Sequence, residues 1–442
     1  MPASRTAKTK TETLLGRLRD ARVSSDKLFE IVREGFLYER PIPERHRIIF
    51  YLGHLEAFDW NLLANHIGAV RPPQAEFDRL FAFGIDPVGG GLPTDKPSDW
   101  PRLNEVRGYA MAVRGGLDAG LARATNRVED ADVQDLLHVA VEHRLMHLET
   151  LAYMFHQLPL EQKIRKARMH ELTSRPVLPR MMRVPEGVCT LGLSRANANE
   201  FGWDNEYESQ TVHVAPFEID EYMVTNSQFR QFLEAGGYQS SELWSDANWE
   251  WKAKNDIRHP VFWKQTGKRW MYRAMFDEVP LPGNWPAYVS HAEASAYARW
   301  AGKALPTEAQ WHRAAYGTPS SRESDYPWGE EAPSASLGNF DFREWDAMPV
   351  NASANHRSGF NVAGLLGNGW EWTATVFAPF PGFAAMPFYL GYSADFFDGK
   401  HYVMKGGSAR TAACMLRRSF RNWFQPRYQY AYAGFRCVSN NC

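Results

Sequence analysis

Leu136-Leu-His-Val-Ala140-Val-Glu-His143-Arg-Leu-Met-His147-Leu-Glu-Thr-Leu151-Ala-Tyr-Met154 is the stretch on which the architecture of the first half turns. Leu136, Ala140, His143, His147, Leu151 and Met154 recur at steps of three and four, one stripe of an amphipathic helix. Both histidines lie on that stripe, so both point at whatever the helix packs against. Their i, i+4 spacing brings the two imidazoles within reach of one metal ion. Burying them there without partners is costly, which is a reason to expect a ligand.

Working outward, the same periodicity predicts helices over 9–35, 43–67, 102–126 and 131–157. A long connection from Gly84 to Pro101, with Gly89-Gly90-Gly91, Pro93 and Pro97, separates the second from the third. Four helices with one long connection are most simply a four-helix bundle. On the second helix, Phe50-Tyr-Leu-Gly-His54-Leu-Glu-Ala-Phe58 places His54 between two apolar residues, each one turn away. His54, His143 and His147 are therefore the expected metal ligands. The spacing does not choose between Fe(II) and zinc. Glu149 and Thr150 are candidates to support the ligands. His46, His66, His138 and His156 lie off the stripes and are expected to face solvent.

The chain has 442 residues, too many for one ordinary core. Its 50 basic and 51 acidic side chains nearly cancel, so nothing marks a nucleic-acid or anionic-membrane partner. Small-molecule substrates are expected. Four scattered cysteines and a polar N-terminal stretch point to a reducing, cytoplasmic setting, with no signal peptide and no membrane span. Composition changes near residue 170. The expected organisation is a helical bundle over 1–165, a charged, proline-bearing linker over 166–183, and an α+β domain over 184–442. In that last part only 226–236 and 290–316 read as helix. Fourteen of the sixteen tryptophans lie beyond residue 200, where they fill space between irregular segments.

The Gly-His and His-x-x-x-His-x-Glu-Thr arrangement resembles the DinB-like bundle of the ergothioneine sulfoxide synthase family. Tyr222-Met-Val-Thr-Asn226, Leu305-Pro-Thr-Glu-Ala-Gln-Trp311, Tyr326-Pro-Trp-Gly329, Asn368-Gly-Trp-Glu-Trp372, Lys405-Gly-Gly-Ser408 and Gly434-Phe-Arg436 resemble the formylglycine-generating-enzyme domain. Phe201-Gly-Trp-Asp-Asn-Glu206 and Arg417-Arg-Ser-Phe-Arg-Asn422 look like its sulfoxide-synthase branch.

The resemblance implies a multidomain α and α+β fold, a DinB-like four-helix bundle followed by a C-type-lectin-like domain. It implies Fe(II) on the three histidines, with hercynine, O₂ and a chalcogen donor as substrates. The bond formed joins the chalcogen to the carbon between the imidazole nitrogens. A tyrosine commonly serves the family as proton source; Tyr428, Tyr430 and Tyr432 are the candidates. Trp370, Glu371 and Trp372 are expected beside the substrate, where an aromatic surface suits a trimethylammonium group. Formylglycine-generating enzymes use a cysteine pair where this chain has Cys414 followed by Arg417 and Arg418, so that activity is not expected.

Departures from the family bear on the donor. Met146 stands where glutamine is usual, Phe81 and Phe83 replace a tyrosine-containing segment, and Thr375 stands where some members have an arginine. Less positive charge for a carboxylate suits a seleno-sugar, the selenoneine-synthase branch. Arg417, Arg418 and Arg421 keep open an ergothioneine synthase using cysteine or γ-glutamylcysteine. A non-catalytic metal-binding lectin-like module and a zinc-dependent thiol transferase are further alternatives. The oligomeric state is not legible.

Overall fold

Helix α2 carries His54, and its boundaries follow from local chemistry. Arg47 is extended (φ −66°, ψ 155°), the chain turns helical at Ile48, and the helix runs to Ile67. Gly68 then takes φ 61°, a left-handed conformation that costs glycine little, and so ends it. A computed structural model describes residues 2–69, 74–82, 92–124, 131–165, 176–196, 200–353 and 355–439. The chain divides into two compact units, Met1–Ala167 and Arg168–Cys442.

In the first unit, α1 (Pro2–Phe29) packs on α5 (Ala131–His156), and α2 packs on α4 (Leu103–Arg123) and on α5. A short α3 (Ala75–Leu80) lies between α2 and α4 in sequence. α1 stops at Phe29, earlier than its periodicity suggests, because the chain beyond it pairs with the end of the unit. There Arg33 N donates to the Gln162 carbonyl (2.9 Å) and Ile164 N to the Ile31 carbonyl (2.7 Å). α2 starts at Ile48 rather than near 43, since the Pro41-Ile-Pro43 segment is held in turns.

A buried ion cluster holds these helices together. Arg144 is 0 % exposed. Its Nη1 donates to Glu56 (3.0 Å) and Ser25 (3.1 Å), and its Nη2 to Asp59 (2.7 Å) and the Leu55 carbonyl (2.9 Å). Arg114 on α4 adds a bond to Glu56 (2.8 Å). Burial pushes the Glu56 carboxyl up, but Arg144 and Arg114 outweigh it and hold it at about 2. Asp59 has weaker support, with Arg22 at 3.9 Å, and burial pushes it upward. A depressed carboxylate contributes stability above its unfolded value of 4.5, and that stability is lost as pH falls toward 2. Denaturant midpoints measured between pH 7 and pH 2 are expected to fall less steeply for Glu56→Gln than for the unaltered chain over that window. Parallel curves would contradict the assignment.

In the second unit, the central sheet has the order β10 (Asn422–Phe424), β9 (Tyr402–Gly407), β8 (Gly369–Val376), β11 (Ala433–Gly434), with β11 parallel to β8. β1 (Met181–Val184), β4 (Phe217–Asp220) and β12 (Val438–Ser439) form a second sheet. β2 (Gly187–Leu191) pairs with β3 (Gln210–Val214), and β5 (Trp263–Thr266), β6 (Arg269–Arg273) and β7 (Glu278–Pro280) form the last. Met181 to Arg183, expected in the linker, thus belong to a strand; positions 166–175 of that linker lie outside the described residues.

The helices are α6 (Asn226–Glu234), α7 (Asp246–Lys254), α8 (His291–Trp300) and α9 (Glu308–Tyr316). The single helix expected over 290–316 is two, because Pro306 cannot continue a helix and Thr307 opens a new one. Thr307 accepts from Gln310 N while the Gln310 side chain accepts from Thr307 N, a capping box repeated by Thr225 with Gln228 and Ser290 with Glu293. The Leu-Pro-Thr-Glu and Val-Thr-Asn motifs are helix starts. α7 has no counterpart among the helices expected from the sequence, because Trp249 and Trp251 blur its periodicity. Trp311 and Phe217 lie in an apolar core cluster of this unit. Among the described residues no helix is long and apolar enough to cross a membrane.

Candidate metal centre

α5 turns His143 and His147 toward α2, where His54 meets them. The three are 3 %, 1 % and 4 % exposed in that order, so water is largely excluded. One ring nitrogen from each lies within 4.8 Å of the other two, and among the described residues this is the one such group of His, Cys, Asp or Glu. The Nε2 atoms of His143 and His147 face each other at 3.1 Å. His54 Nδ1 lies 2.7 Å from the Phe81 carbonyl oxygen. A carbonyl only accepts, so Nδ1 carries the proton and Nε2 keeps its lone pair, the form a metal ligand needs.

Aromatic rings build the walls. Phe50 stacks on His54 (4.9 Å, 21°) and Phe58 on His143 (3.4 Å, 11°), while Tyr51 lies 5.8 Å from His147. Gly53 is what lets Phe81 in: a Cβ there would stand 2.5 Å from the Phe81 ring. Burial lowers the His54 imidazole to about 4 despite its carbonyl partner. Burial, then the His147 and His54 imidazoles, holds His143 well below its ordinary value, and burial, then His54 and Arg45, does the same for His147. Burial thus favours the neutral imidazole, the form that binds a metal ion. The buried, otherwise unpartnered His54 Nε2 and the all-imidazole donor set fit a divalent transition metal.

Other sequence-based expectations are redistributed. Of the four histidines expected to be solvated, only His66 is exposed; His46 and His138 are half-buried, and His156 is fully buried in the last turn of α5. Glu149 is buried too. Met146 and Thr150 are half-buried on α5. Phe81 is fully buried and serves His54 through its backbone. Phe83 lies outside the described residues.

In the second unit Trp370, Glu371 and Trp372, the residues expected beside the substrate, are 2 %, 0 % and 0 % exposed. Both Glu371 oxygens accept from Arg436 (2.6 and 2.7 Å), and Trp311 Nε1 adds a third bond (2.8 Å). Trp372 Nε1 donates to the Val289 carbonyl (2.9 Å). The Trp-Glu-Trp and Gly-Phe-Arg motifs therefore meet in a buried ion pair that holds β8. Arg417 donates to Glu206 (2.9 and 2.5 Å), and Arg421 to Glu308 (3.0 and 3.2 Å). Arg418 is more open, at 36 % side-chain exposure, with Glu323 3.5 Å away. Thr375 accepts from Glu308 N (2.8 Å) at the start of α9. Tyr432 is buried against Tyr288 (5.7 Å); Tyr428 and Tyr430 are half-buried, with Tyr428 stacked on Phe424 (4.8 Å). Cys189 and Cys437 are buried free thiols and Cys414 is an exposed one.

Residues 167–441, more than half of the chain, match the sulfatase-modifying factor enzyme 1-like domain. The chain belongs to that family. Residues 17–151 match the DinB superfamily, so a DinB-type helical domain precedes a sulfatase-modifying-factor, C-type-lectin-like domain. The chain is 38% identical over 252 residues to hercynine oxygenase of Mycolicibacterium thermoresistibile, covering 56% of this chain and 55% of that protein. It is 29% identical over 486 aligned positions to ergothioneine biosynthesis protein 1 of Neurospora crassa, covering 91% of this chain and 55% of that one. Formylglycine-generating enzyme of Bos taurus is 28% identical over 309 residues, covering 60% and 76%. The chain thus spans just over half the length of the first two relatives. Within the sulfatase-modifying-factor family, the ergothioneine-related resemblance carried by the sequence motifs is the one these relatives bear out.

Proposed function

We propose that this chain is an O₂-dependent, non-heme iron enzyme that joins a chalcogen to the imidazole carbon of hercynine. One observation carries the reading: three buried imidazoles converge among aromatic rings, with His54 Nδ1 held by the Phe81 carbonyl so that Nε2 is left for a ligand. Relatives named hercynine oxygenase and ergothioneine biosynthesis protein support the substrate. His54, His143 and His147 would hold Fe(II). When bound by three protein nitrogens, with positions left for other ligands, it supplies O₂ activation and oxidation of the donor.

The chain's own groups do the rest. The Phe81 carbonyl keeps the proton of His54 on Nδ1, and Phe50 and Phe58 keep the ligand rings in plane and water out. Excluding water protects a reactive oxidant from side reactions. Tyr428, Tyr430 and Tyr432 remain the candidate proton sources, Tyr428 and Tyr430 half-buried and Tyr432 buried.

For the donor we favour a seleno-sugar. Arg417 and Arg421, two of the three arginines that would receive a donor carboxylate, are already neutralised by Glu206 and Glu308. A thiol donor, cysteine or γ-glutamylcysteine, is the second reading, supported by the ergothioneine-related names of the relatives. The test is anaerobic loading with Fe(II), then O₂ and hercynine with each donor in parallel, read by mass spectrometry. A selenium-containing betaine from a 1-seleno-glucose is expected, with no sulfoxide from either thiol. A sulfoxide from a thiol alone would establish the second reading. No product from any donor would overturn both.

A further inference from the structure

Trp100 touches both groups that hold His54. Its indole lies nearly parallel to the Phe81 ring (6.2 Å, 22°) and edge-on to Phe50 (5.8 Å, 70°). Phe50 stacks on the His54 imidazole, and the Phe81 carbonyl takes its Nδ1 proton. Stacking fixes the plane of the His54 ring, and the hydrogen bond fixes its rotation within that plane. His54 is the one ligand that α2 contributes, so its rotation decides whether Nε2 faces His143 and His147.

Trp100 is itself oriented. Its Nε1 donates to Asp95 Oδ2 (2.8 Å). The Asp95 carboxylate is paired with Arg40, and Arg47 Nε donates to it (3.0 Å). The same two arginines hold the backbone: Arg47 Nη2 donates to the Asp95 carbonyl (2.8 Å) and Arg40 Nη1 to the Pro93 carbonyl (2.8 Å). Tyr38 closes the far side by donating to the Pro101 carbonyl (2.9 Å). The segment 93–101 is thereby fastened to residues 38–47, immediately ahead of α2. Phe81 has a second constraint, since its ring lies against Gly53, where a Cβ would stand 2.5 Å away.

We infer that Trp100, oriented by Asp95, is a positioning residue for the metal ligand His54. It acts through Phe50 and Phe81 and touches neither metal nor substrate. The inference rests on the metal-centre reading above. Groups that orient a ligating histidine typically change metal affinity by about 10–100-fold when lost.

The test uses the full chain and Co(II), followed anaerobically by calorimetry and by its visible absorption. Trp100→Phe keeps an aromatic ring against Phe50 and Phe81 but has no N–H for Asp95. Asp95→Asn keeps an acceptor for Trp100 but loses the arginine pairs, and it carries the test should Trp100→Phe fail to fold. The expected result is a Co(II) dissociation constant raised about tenfold or more, with an altered absorption band. The unfolding midpoint of the metal-free protein should stay within a few degrees of the unaltered chain. Unchanged affinity and an unchanged band in both variants would overturn the inference. Failure of the unaltered chain to take up Co(II) would instead remove the metal centre, and the inference with it.

Discussion

His143→Ala is expected to abolish stoichiometric Fe(II) binding and, with it, product formation. Removing one of three nitrogen donors should weaken binding at least about a thousandfold, on the order of 4 kcal/mol. The remaining pair, His54 and His147, comes from two helices, and two donors leave an ion held mostly by water. The fold should survive the change. His143 spends its buried surface on Phe58 and on two other imidazoles, and three neutral rings facing one another are a cost that the metal-free protein bears for function. Anaerobic calorimetry against the unaltered chain measures the affinity, and thermal unfolding of the metal-free forms measures the fold. Full Fe(II) affinity in the variant would mean that His143 is a packed core residue and no ligand.

Arg144→Met is expected to lower stability by about 3–5 kcal/mol, the cost of leaving buried carboxylates without their partner. For a unit of this size that corresponds to a fall of about 10 °C in its unfolding midpoint. The loss should exceed what packing alone predicts, since methionine nearly fills the same volume. Glu56 would keep Arg114 at 2.8 Å, but Asp59, 0 % exposed, would keep only Arg22 at 3.9 Å. The double variant Arg144→Met, Asp59→Leu should therefore recover much of the loss, which a purely additive pair would not do. Scanning calorimetry of the single and double variants measures this. A single variant within about 1 kcal/mol of the unaltered chain would show that the cluster contributes little.

The contrast between these two positions explains what the sequence discloses. His143 is legible because it falls on a stripe of apolar residues, and a polar group on an apolar face demands a reason. Its neighbour Arg144 is not legible. An arginine one position off the stripe looks like solvent-facing charge, and its partners Glu56 and Asp59 are more than eighty residues away in sequence. Only the packing of α5 on α2 brings them together. His54 was found from Phe50 and Phe58 a turn either side, yet its hydrogen bond is not visible in any pattern, because Phe81 supplies it through its backbone.

The same limit governs the second unit. Thr307 and Gln310 hold the signature of a helix start, and Pro306 forbids a continuous helix. The alanine-rich stretch from 290 to 316 favours helix on both sides of that break and masks the local signal. Trp370, Glu371 and Trp372 look like a binding surface when their partner is unknown. The bonds that Arg436 and Trp311 make to Glu371 are not visible in the sequence. Arg417 and Arg421 likewise read as free charge until Glu206 and Glu308 are found beside them.

X-ray absorption at the iron edge of the anaerobically loaded chain tests the central claim most directly. The account predicts one iron per chain, with a first shell of nitrogen and oxygen only and the multiple-scattering pattern of about three imidazoles. His143→Ala, loaded in the same way, should retain far less than one iron per chain. Sulfur in the first shell, fewer than two imidazoles, or iron bound equally well without His143 would contradict it.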